Sequence, residues 1–161
     1  MIRHVTPADQ AAIRAVVHAA FGQADEADLV ERLRSAGDVM FELVEEDGGE
    51  IVGHILYSRL WADSINLFAA LAPLAVRPDR QRSGVGKRLT AASLETAKEF
   101  GVHAVIVLGH PEYYPKFGFS TEASAKVKSP YSGNPAFMAL ALEDGALDEA
   151  LLVAYPNAFN G

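Results

Sequence analysis

The sequence predicts an α/β fold of the α+β kind, in which helices flank a mixed β-sheet within one domain spanning residues 1–161. Two apolar runs flank Asp47-Gly48-Gly49, a turn signal that predicts a β-hairpin and hence antiparallel strands. Between residues 67 and 109 a strand, a helix and a second strand follow one another, which implies a right-handed crossover between parallel strands. A sheet that contains both kinds of pairing is mixed.

The N-terminal part is predicted to hold a short strand and two helices. The strand is MIRHV, and Thr6 followed by Pro7 is the arrangement that favours the start of a helix, which Gly22 ends. The second helix is ADEADLVERLRSAGD, where acidic residues come early and arginines come late, as the helix dipole favours.

The rest of the chain continues with strands and helices. The hairpin is VMFELVEEDGGEIVGHILYSRLWAD, and the third strand is INLFAALAPLAVRP, whose continuous apolar character predicts burial on both faces. There follow a helix, GVGKRLTAASLETAKEFG, a strand, VHAVIVLGH, and a short aromatic-rich turn or helix, PEYYPKFGF. The last elements are a strand, AFMALALED, and a segment, GALDEALLVAYPNAF, that is predicted to begin as a helix and to end extended.

The composition favours a globular protein, because half of its residues are hydrophobic and 22% are charged. The formal net charge of −7 argues against nonspecific nucleic-acid binding, which needs a basic face. The absence of cysteine excludes disulfides, thiolate zinc sites and cysteine nucleophiles. Neither a secretory signal nor an apolar run of membrane-spanning length is found, so we expect a cytoplasmic protein without a membrane or metal partner.

A glycine-containing turn with cationic neighbours joins the third strand to the following helix. The turn runs from Gln81 to Gly86, where the first amide groups of the helix have no intrahelical partner and glycine lets a ligand approach the backbone. Such a turn is suited to phosphate binding. The basic residues beside it are Arg80, Arg82, Lys87 and Arg88. Two interpretations stay open, namely an anion held on backbone amides or a tight turn with solvated surface charge.

The spacing of the glycines does not match two common nucleotide-binding fingerprints. A Walker loop has four residues between its glycines, whereas one residue separates Gly84 from Gly86. A dinucleotide fingerprint has a third glycine three residues further on, and Leu89 occupies that position. A phosphate ligand of another class is therefore left open.

Two motifs together resemble signatures of one enzyme superfamily. The first is Gln/Arg-x-x-Gly-x-Gly/Ala, and it reads Gln81-Arg82-Ser83-Gly84-Val85-Gly86 in this chain. The second is an aromatic pair followed by Gly-Phe, and it reads YYPKFGF from residue 113 to residue 119. Both resemble the GNAT superfamily of acyl-CoA-dependent N-acyltransferases, with matching element order from residue 2 to about residue 142. The combination GHPEYYPKFGF is most similar to the YhbS-like group of predicted acetyltransferases.

The resemblance implies a GNAT-like, centrally splayed sheet and acetyl-CoA as cosubstrate, without a metal. In this family the pyrophosphate of coenzyme A lies on the glycine turn, and the pantetheine arm lies along the end of the preceding strand. The resemblance thus implies that the coenzyme is bound by Leu74, Ala75, Val76, Gln81, Arg82, Ser83, Gly84, Val85, Gly86, Lys87 and Tyr114.

Acetylation of an amine needs a neutral amine, a polarised carbonyl and a protonated leaving thiolate. Direct attack is expected, because the chain has no cysteine to carry the acetyl group. Tyr114 occupies the family position that faces the coenzyme sulfur, and an ordinary phenol, with a pKa near 10, stays protonated at neutral pH. We therefore expect Tyr114 to donate to the thiolate, and Tyr113, Phe117 and Phe119 to be packing residues.

The general base is left open by the sequence. Some family members carry a glutamate on the fourth strand, but INLFAALAPLAV contains no carboxylate. His110 lies at the end of the fifth strand, and an imidazole titrates near neutral pH, so His110 is the first candidate base. Glu112 and a water relay are alternatives, and His54 is expected to be a satisfied sheet residue rather than a groove residue.

The leading hypothesis is an N-acetyltransferase that acts on an unidentified primary amine of a small molecule or a peptide. The alternatives are a non-catalytic acyl-CoA-binding or sensor domain of the same fold and a nucleotide-binding protein. The acceptor is expected to lie against residues 22–37, 57–68 and 120–136, where Glu26 and Asp28 are candidate pocket residues. The apolar C-terminal run LLVAYPNAFNG is expected to pack either on the chain's own sheet or on a homodimer partner.

Overall fold

Eight strands form the sheet in the computed structural model, which describes residues 1–63 and 67–160. The strands are β1 (Ile2–His4), β2 (Val39–Asp47), β3 (Glu50–Ala62), β4 (Phe68–Val76), β5 (Ala104–Leu108), β6 (Val127–Lys128), β7 (Phe137–Ala141) and β8 (Leu151–Ala154). The α-helices are α1 (Gln10–Phe21), α2 (Asp25–Ala36) and α3 (Val85–Glu99). Short 3₁₀ helices cover Pro7–Asp9, Pro78–Arg80, Tyr114–Phe117 and Asn157–Asn160.

The strands follow the order β1-β2-β3-β4-β5-β7, and β8 joins this path beside β3 and β6. Neighbours pair antiparallel except for β4 with β5 and β6 with β8, which pair parallel. The predicted mixed sheet flanked by helices is therefore confirmed. The parallel pair is the one that the crossover through α3 predicted, since a strand, a helix and a strand in succession need such a connection.

The helices cover the two faces of the sheet. Helix α1 buries Ile13 and Val17 against Val44 of β2, on one face. Helix α3 buries Val85 and Leu89 in the cluster of the opposite face. Each helix buries apolar side chains at three- to four-residue spacing, which is the stripe that an amphipathic helix presents to a core. No helix in the described part of the chain is long and apolar enough to cross a membrane.

Strands β4 and β5 separate halfway along β4. Their pairing runs from Phe68 with Ala104 to Leu71 with Val107, whereas β4 continues to Val76 beside β3 alone. The register of β3 with β4 shifts at the same level, between the pairs of Tyr57 and Ile55. Each of the two strands remains hydrogen-bonded to a neighbour on its other side, β4 to β3 and β5 to β7. A gap therefore opens between two strand ends that are both fixed in the sheet.

The C-terminal segment differs from the prediction. Residues 145–150 form turns rather than the beginning of a helix, and Leu151–Ala154 form β8 beside β3 and β6. Leu151 and Val153 are buried while Leu152 is exposed, and this alternation of period two suits a strand and not a helix. The apolar C-terminal run thus packs on the chain's own sheet. The start of the predicted third strand, at residues 65 and 66, lies outside the described residues.

A buried polar network attaches α2 to the sheet. Arg34 donates two hydrogen bonds to the carboxylate of Glu42, at 2.8 and 3.0 Å. His54, which is fully buried, lies with its Nε2 atom 2.7 Å from the same carboxylate. Burial lowers the pKa of His54, so a neutral imidazole donates this bond. Burial raises the pKa of Glu42, but the hydrogen bonds from His54 and Arg34 outweigh it and lower the pKa to about 2.

This network predicts a loss of stability in acid. The unfolded chain protonates His54 below about pH 6.5 and Glu42 below about pH 4.5, whereas the folded protein holds both groups deprotonated. The unfolded state then binds more protons, so the free energy of unfolding falls as the pH is lowered. The contribution of Glu42 is lost between pH 4.5 and pH 2 and amounts to about 1–3 kcal/mol.

Chemical denaturation across this pH range measures the effect. Glu42→Gln is expected to flatten the curve below pH 4.5, because the substituted side chain does not titrate there. The exposed Glu122 supplies the matched control, Glu122→Gln, which should keep the wild-type slope. A Glu42→Gln curve as steep as the wild-type curve contradicts the assignment.

Candidate functional site

A cavity of about 960 Å³ lies where β4 and β5 have parted, at the start of α3. One wall is the end of β4, where Leu74 and Val76 face the cavity. Ala75 lies between them, is buried in the cluster beneath α1 and is not among the lining residues. The alternation of side chains along a strand explains why the predicted run of three residues is divided between two faces.

The glycine turn forms the floor of the cavity. Gln81, Arg82, Gly84 and Gly86 line it, and the Gln81 side chain donates to the carbonyl of Val76 at 3.1 Å. Arg82 and Gly84 have left-handed backbone conformations, with φ of 64° and 94°, and α3 begins directly after Gly84. This curvature brings the free amide groups of the first helical turn to the cavity.

Two predicted turn residues, Ser83 and Val85, are not among the residues that line the cavity. Val85 is buried in the core and anchors the first turn of α3. The hydroxyl of Ser83 donates to the carbonyl of Arg80 and thereby closes the turn on itself. Both side chains therefore stabilise the loop that presents the amides.

The four basic residues of the turn differ in whether a carboxylate of the protein neutralises them. Arg80 pairs with Asp47, and Arg88 pairs with Glu45 at 2.8 Å. The structure therefore does not bring Arg80 and Arg88 to the cavity, contrary to the prediction that they supplement an anion site. Lys87 and Arg82 do line the cavity, and neither forms an ion pair within the described residues. These two cations are the ones available to an anionic ligand at the start of α3.

Tyr114 lies in the wall opposite β4, where β5 has ended. Its ring is buried, packs edge-on against Tyr113 at 5.0 Å and Phe119 at 5.6 Å, and lines the cavity. Burial raises the pKa of the Tyr114 phenol above its usual value. The hydroxyl group therefore remains protonated throughout the neutral range.

Gly109, the first residue of the motif GHPEYYPKFGF, makes room for the Tyr114 ring, a role that the sequence did not indicate. A Cβ atom added to Gly109 would lie 2.3 Å from Cε2 of Tyr114, which no real side chain tolerates. The amide of Gly109 also donates to the carbonyl of Ala136 at 2.9 Å, which fixes this glycine at the end of β5. Only its place directly before His110 could have signalled a functional position.

Tyr113 does more than the predicted packing. Its hydroxyl lies 3.3 Å from Oγ1 of Thr90 in α3, and Thr90 in turn donates to the carbonyl of Gly86 at 2.8 Å. A Cβ atom on Gly86 would lie 3.2 Å from the Tyr113 hydroxyl, so the glycine permits this close approach. Tyr113 thus ties the aromatic turn to the first turn of α3.

The other candidate residues divide into one that reaches the cavity and several that do not. His110 is exposed and lines the cavity, whereas Glu112 is exposed and lies outside its lining. Neither Glu26 nor Asp28 lines this cavity. Glu26 accepts a hydrogen bond from Gln23, and Asp28 pairs with Arg14 at 3.0 Å. Across residues 1–63 and 67–160, no three histidine or acidic side chains are grouped as metal ligands would be.

Helix α1 supplies a second contribution that the sequence did not indicate. Ala20 and Phe21, at the end of α1, line the cavity, and Phe21 is partly exposed there. The sequence placed both residues in the first helix but did not indicate which strand ends they would meet.

The packing of Tyr114 on Gly109 predicts a specific coupling. Gly109→Ala is expected to lower the free energy of unfolding by about 1–3 kcal/mol, because the added methyl group overlaps the ring. In a Tyr114→Ala background the overlap is removed, so the same substitution should cost little. Urea denaturation of the four proteins measures the coupling, and an equal cost in both backgrounds refutes it.

Some known proteins are similar to this chain over nearly its whole length. YhbS from Escherichia coli (strain K12), named an uncharacterized N-acetyltransferase, is 33% identical over 99% of this chain and 98% of the relative. The solved structure of Escherichia coli YhbS in complex with CoA matches with a TM-score of 0.91 and 32% identity, covering 100% of this chain and 92% of that one. A GNAT family acetyltransferase from Brucella melitensis, solved in complex with acetyl-CoA, matches with a TM-score of 0.80 and 30% identity, covering 99% and 97%.

The match to a family model covers most of the elements that build the cavity. The model describes the acetyltransferase (GNAT) family and matches residues 9–119. This range begins just before α1, contains the glycine turn and α3, and ends with the aromatic motif at Phe119. The resemblance inferred from two short motifs is thereby confirmed over more than half of the chain, and this protein belongs to the acetyltransferase (GNAT) family.

Proposed function

We propose that this protein is an acetyl-CoA-dependent N-acetyltransferase that transfers an acetyl group, by direct attack, to a primary amine of a small molecule or a peptide. One observation carries the proposal. A single cavity is lined by the start of α3, by the unpaired end of β4 and by the Tyr114 phenol. Similar proteins have been solved with CoA and with acetyl-CoA, which supports the same cosubstrate here.

The start of α3 is suited to the pyrophosphate of coenzyme A. Its amide groups have no intrahelical partner, and the helix dipole adds roughly half a positive charge at this end. Arg82 and Lys87 line the same part of the cavity without internal ion pairs in the described structure. The glycines leave the backbone open, so phosphate oxygens can accept directly from amides.

The parted end of β4 is suited to the pantetheine arm. From Ala72 to Val76 this strand has no partner on the β5 side among the described strands. The arm contains two amide groups, and an extended, amide-containing ligand pairs with a free strand edge much as another strand does. Leu74 and Val76 add apolar contacts beside it. We propose that this arrangement leads the thioester to the gap below Tyr114.

The chemistry requires one bond to form and one to break. The neutral amine attacks the thioester carbon, the C–N bond forms, and the C–S bond breaks with release of the coenzyme thiolate. Tyr114 would donate a hydrogen bond to this sulfur. Its phenol, whose pKa burial raises, is a weaker acid than a thiol of pKa about 8.5. The donor therefore stabilises the thiolate without surrendering its proton, and the proton lost by the amine finally reaches the sulfur through solvent.

His110 is our candidate for accepting the proton of the attacking amine. It is exposed at the mouth of the cavity, four residues before Tyr114, and can exchange protons with solvent. The carbonyl of His110 also accepts from the amide of Tyr113 at 3.1 Å, which ties its position to the aromatic turn.

An acyl-CoA sensor is less well supported. YhbS carries the name N-acetyltransferase and the Brucella melitensis protein the name acetyltransferase, and the cavity contains a phenol that we propose as the donor to a leaving thiolate. A sensor has no need of such a donor.

Release of free thiol from acetyl-CoA with a panel of primary amines tests the function. At least one amine should support turnover, and Tyr114→Phe should lower kcat by about 10²-fold while leaving the dissociation constant of CoA nearly unchanged. Tyr131→Phe, outside the cavity, is the matched control. A folded wild-type protein that releases no thiol with any amine would falsify the proposal.

The role of His110 is tested separately with the amine found active. His110→Gln is expected to lower kcat/KM at neutral pH by about 10²-fold, because the acceptor of the amine proton is lost. His18→Gln removes an exposed histidine that lies away from the cavity and should behave as wild type. An unchanged kcat/KM in His110→Gln points instead to a water relay.

A further inference from the structure

One basic residue that lines the cavity, Lys116, has no role in the function proposed above. Arg82 and Lys87 lie at the glycine turn, where the pyrophosphate is proposed to bind, but Lys116 lines the cavity from the aromatic turn. Lys116 is exposed and, unlike Arg80 and Arg88, forms no ion pair within residues 1–63 and 67–160. It thus adds a third unneutralised positive charge to a cavity proposed to hold a polyanion.

The backbone places Lys116 on the side of the aromatic turn that faces α3. Residues Tyr114–Phe117 form a 3₁₀ helix, and the amide of Lys116 donates to the carbonyl of Tyr113 at 3.3 Å. Tyr113 directly precedes this helix, and Tyr113 and Lys116 both line the cavity, so the two residues lie on the same side of the aromatic turn. The Tyr113 hydroxyl reaches Thr90 in the first turns of α3, which gives the direction of that side.

The charge of the ligand matches this arrangement. Coenzyme A carries a pyrophosphate and a separate phosphate on the 3′-hydroxyl of its ribose. The ribose is joined to the pyrophosphate through its 5′-oxygen, so a pyrophosphate bound at the first turn of α3 would keep the ribose close to that turn. A lysine ammonium binds a phosphate as a compact point charge and needs no fixed geometry, which suits an exposed position.

Resting on the proposed coenzyme site, we propose that Lys116 binds the ribose 3′-phosphate and so distinguishes coenzyme A from 3′-dephospho-coenzyme A. Lys116 is then a specificity-determining residue that contacts the coenzyme far from the thioester. An exposed charge pair makes a modest contribution, so we expect a discrimination of about two- to fivefold between the two ligands. Added salt should reduce this ratio, because solvent-exposed charges are screened.

Calorimetry with CoA and 3′-dephospho-CoA, on the wild type and on Lys116→Gln, tests the proposal. The wild type should bind CoA more tightly than 3′-dephospho-CoA, and Lys116→Gln should weaken CoA binding alone, bringing the two dissociation constants together. Lys116→Arg should retain the discrimination, since the charge is kept. Lys128→Gln, an exposed lysine on β6 outside the cavity, should match the wild type.

The outcomes separate this inference from the function on which it rests. If Lys116→Gln leaves the ratio of the two dissociation constants unchanged, the proposed role of Lys116 is overturned while the coenzyme site stands. This holds also when both ligands bind equally more weakly, because a general loss of positive potential would act on the pyrophosphate too. If the wild type binds neither ligand, the proposed coenzyme site fails, and the inference fails with it.

Discussion

The separation of β4 from β5 is the constraint on which the rest of the structure depends. Parallel pairing stops at Leu71 and Val107, although β4 extends to Val76. Unpaired backbone inside a protein is costly unless something satisfies it. The two strands tolerate the separation because β3 and β7 hold their outer edges, and because the opened edge faces a cavity rather than the core. A ligand with amide groups of its own would complete the pairing.

Close approaches made possible by glycine hold the walls of this gap in position. Gly109 admits the ring of Tyr114 at the end of β5, and Gly86 admits the hydroxyl of Tyr113 at the start of α3. Through Thr90, that hydroxyl links the aromatic turn to α3, the helix whose first amides we propose as the pyrophosphate site. The proposed phenol donor and the proposed pyrophosphate site are thus parts of one packed unit, so their separation is set by packing and not by a flexible loop.

Charge in this acidic protein is distributed by pairing. Carboxylates of β2 neutralise Arg80 and Arg88 on the outer side of the glycine turn, whereas Arg82, Lys87 and Lys116 face the cavity without such partners. A positive potential therefore remains at the cavity although the net charge of the chain is −7. On the far side of the sheet, Arg34 and His54 satisfy the buried carboxylate of Glu42 and attach α2, a structural use of charge away from the cavity.

The sequence by itself determined the mixed sheet, the crossover through α3, the glycine turn and the aromatic motif, because these follow from local turn chemistry and hydrophobic period. Only the tertiary structure decided that Ala75 faces away from the cavity and that Arg80 is neutralised, because both depend on which side chains distant segments bring together. The role of Gly109 could not be predicted for the same reason, because it consists of leaving space for the ring of Tyr114. The helix predicted after Gly145 was wrong because pairing with β3 and β6 overrode local propensity.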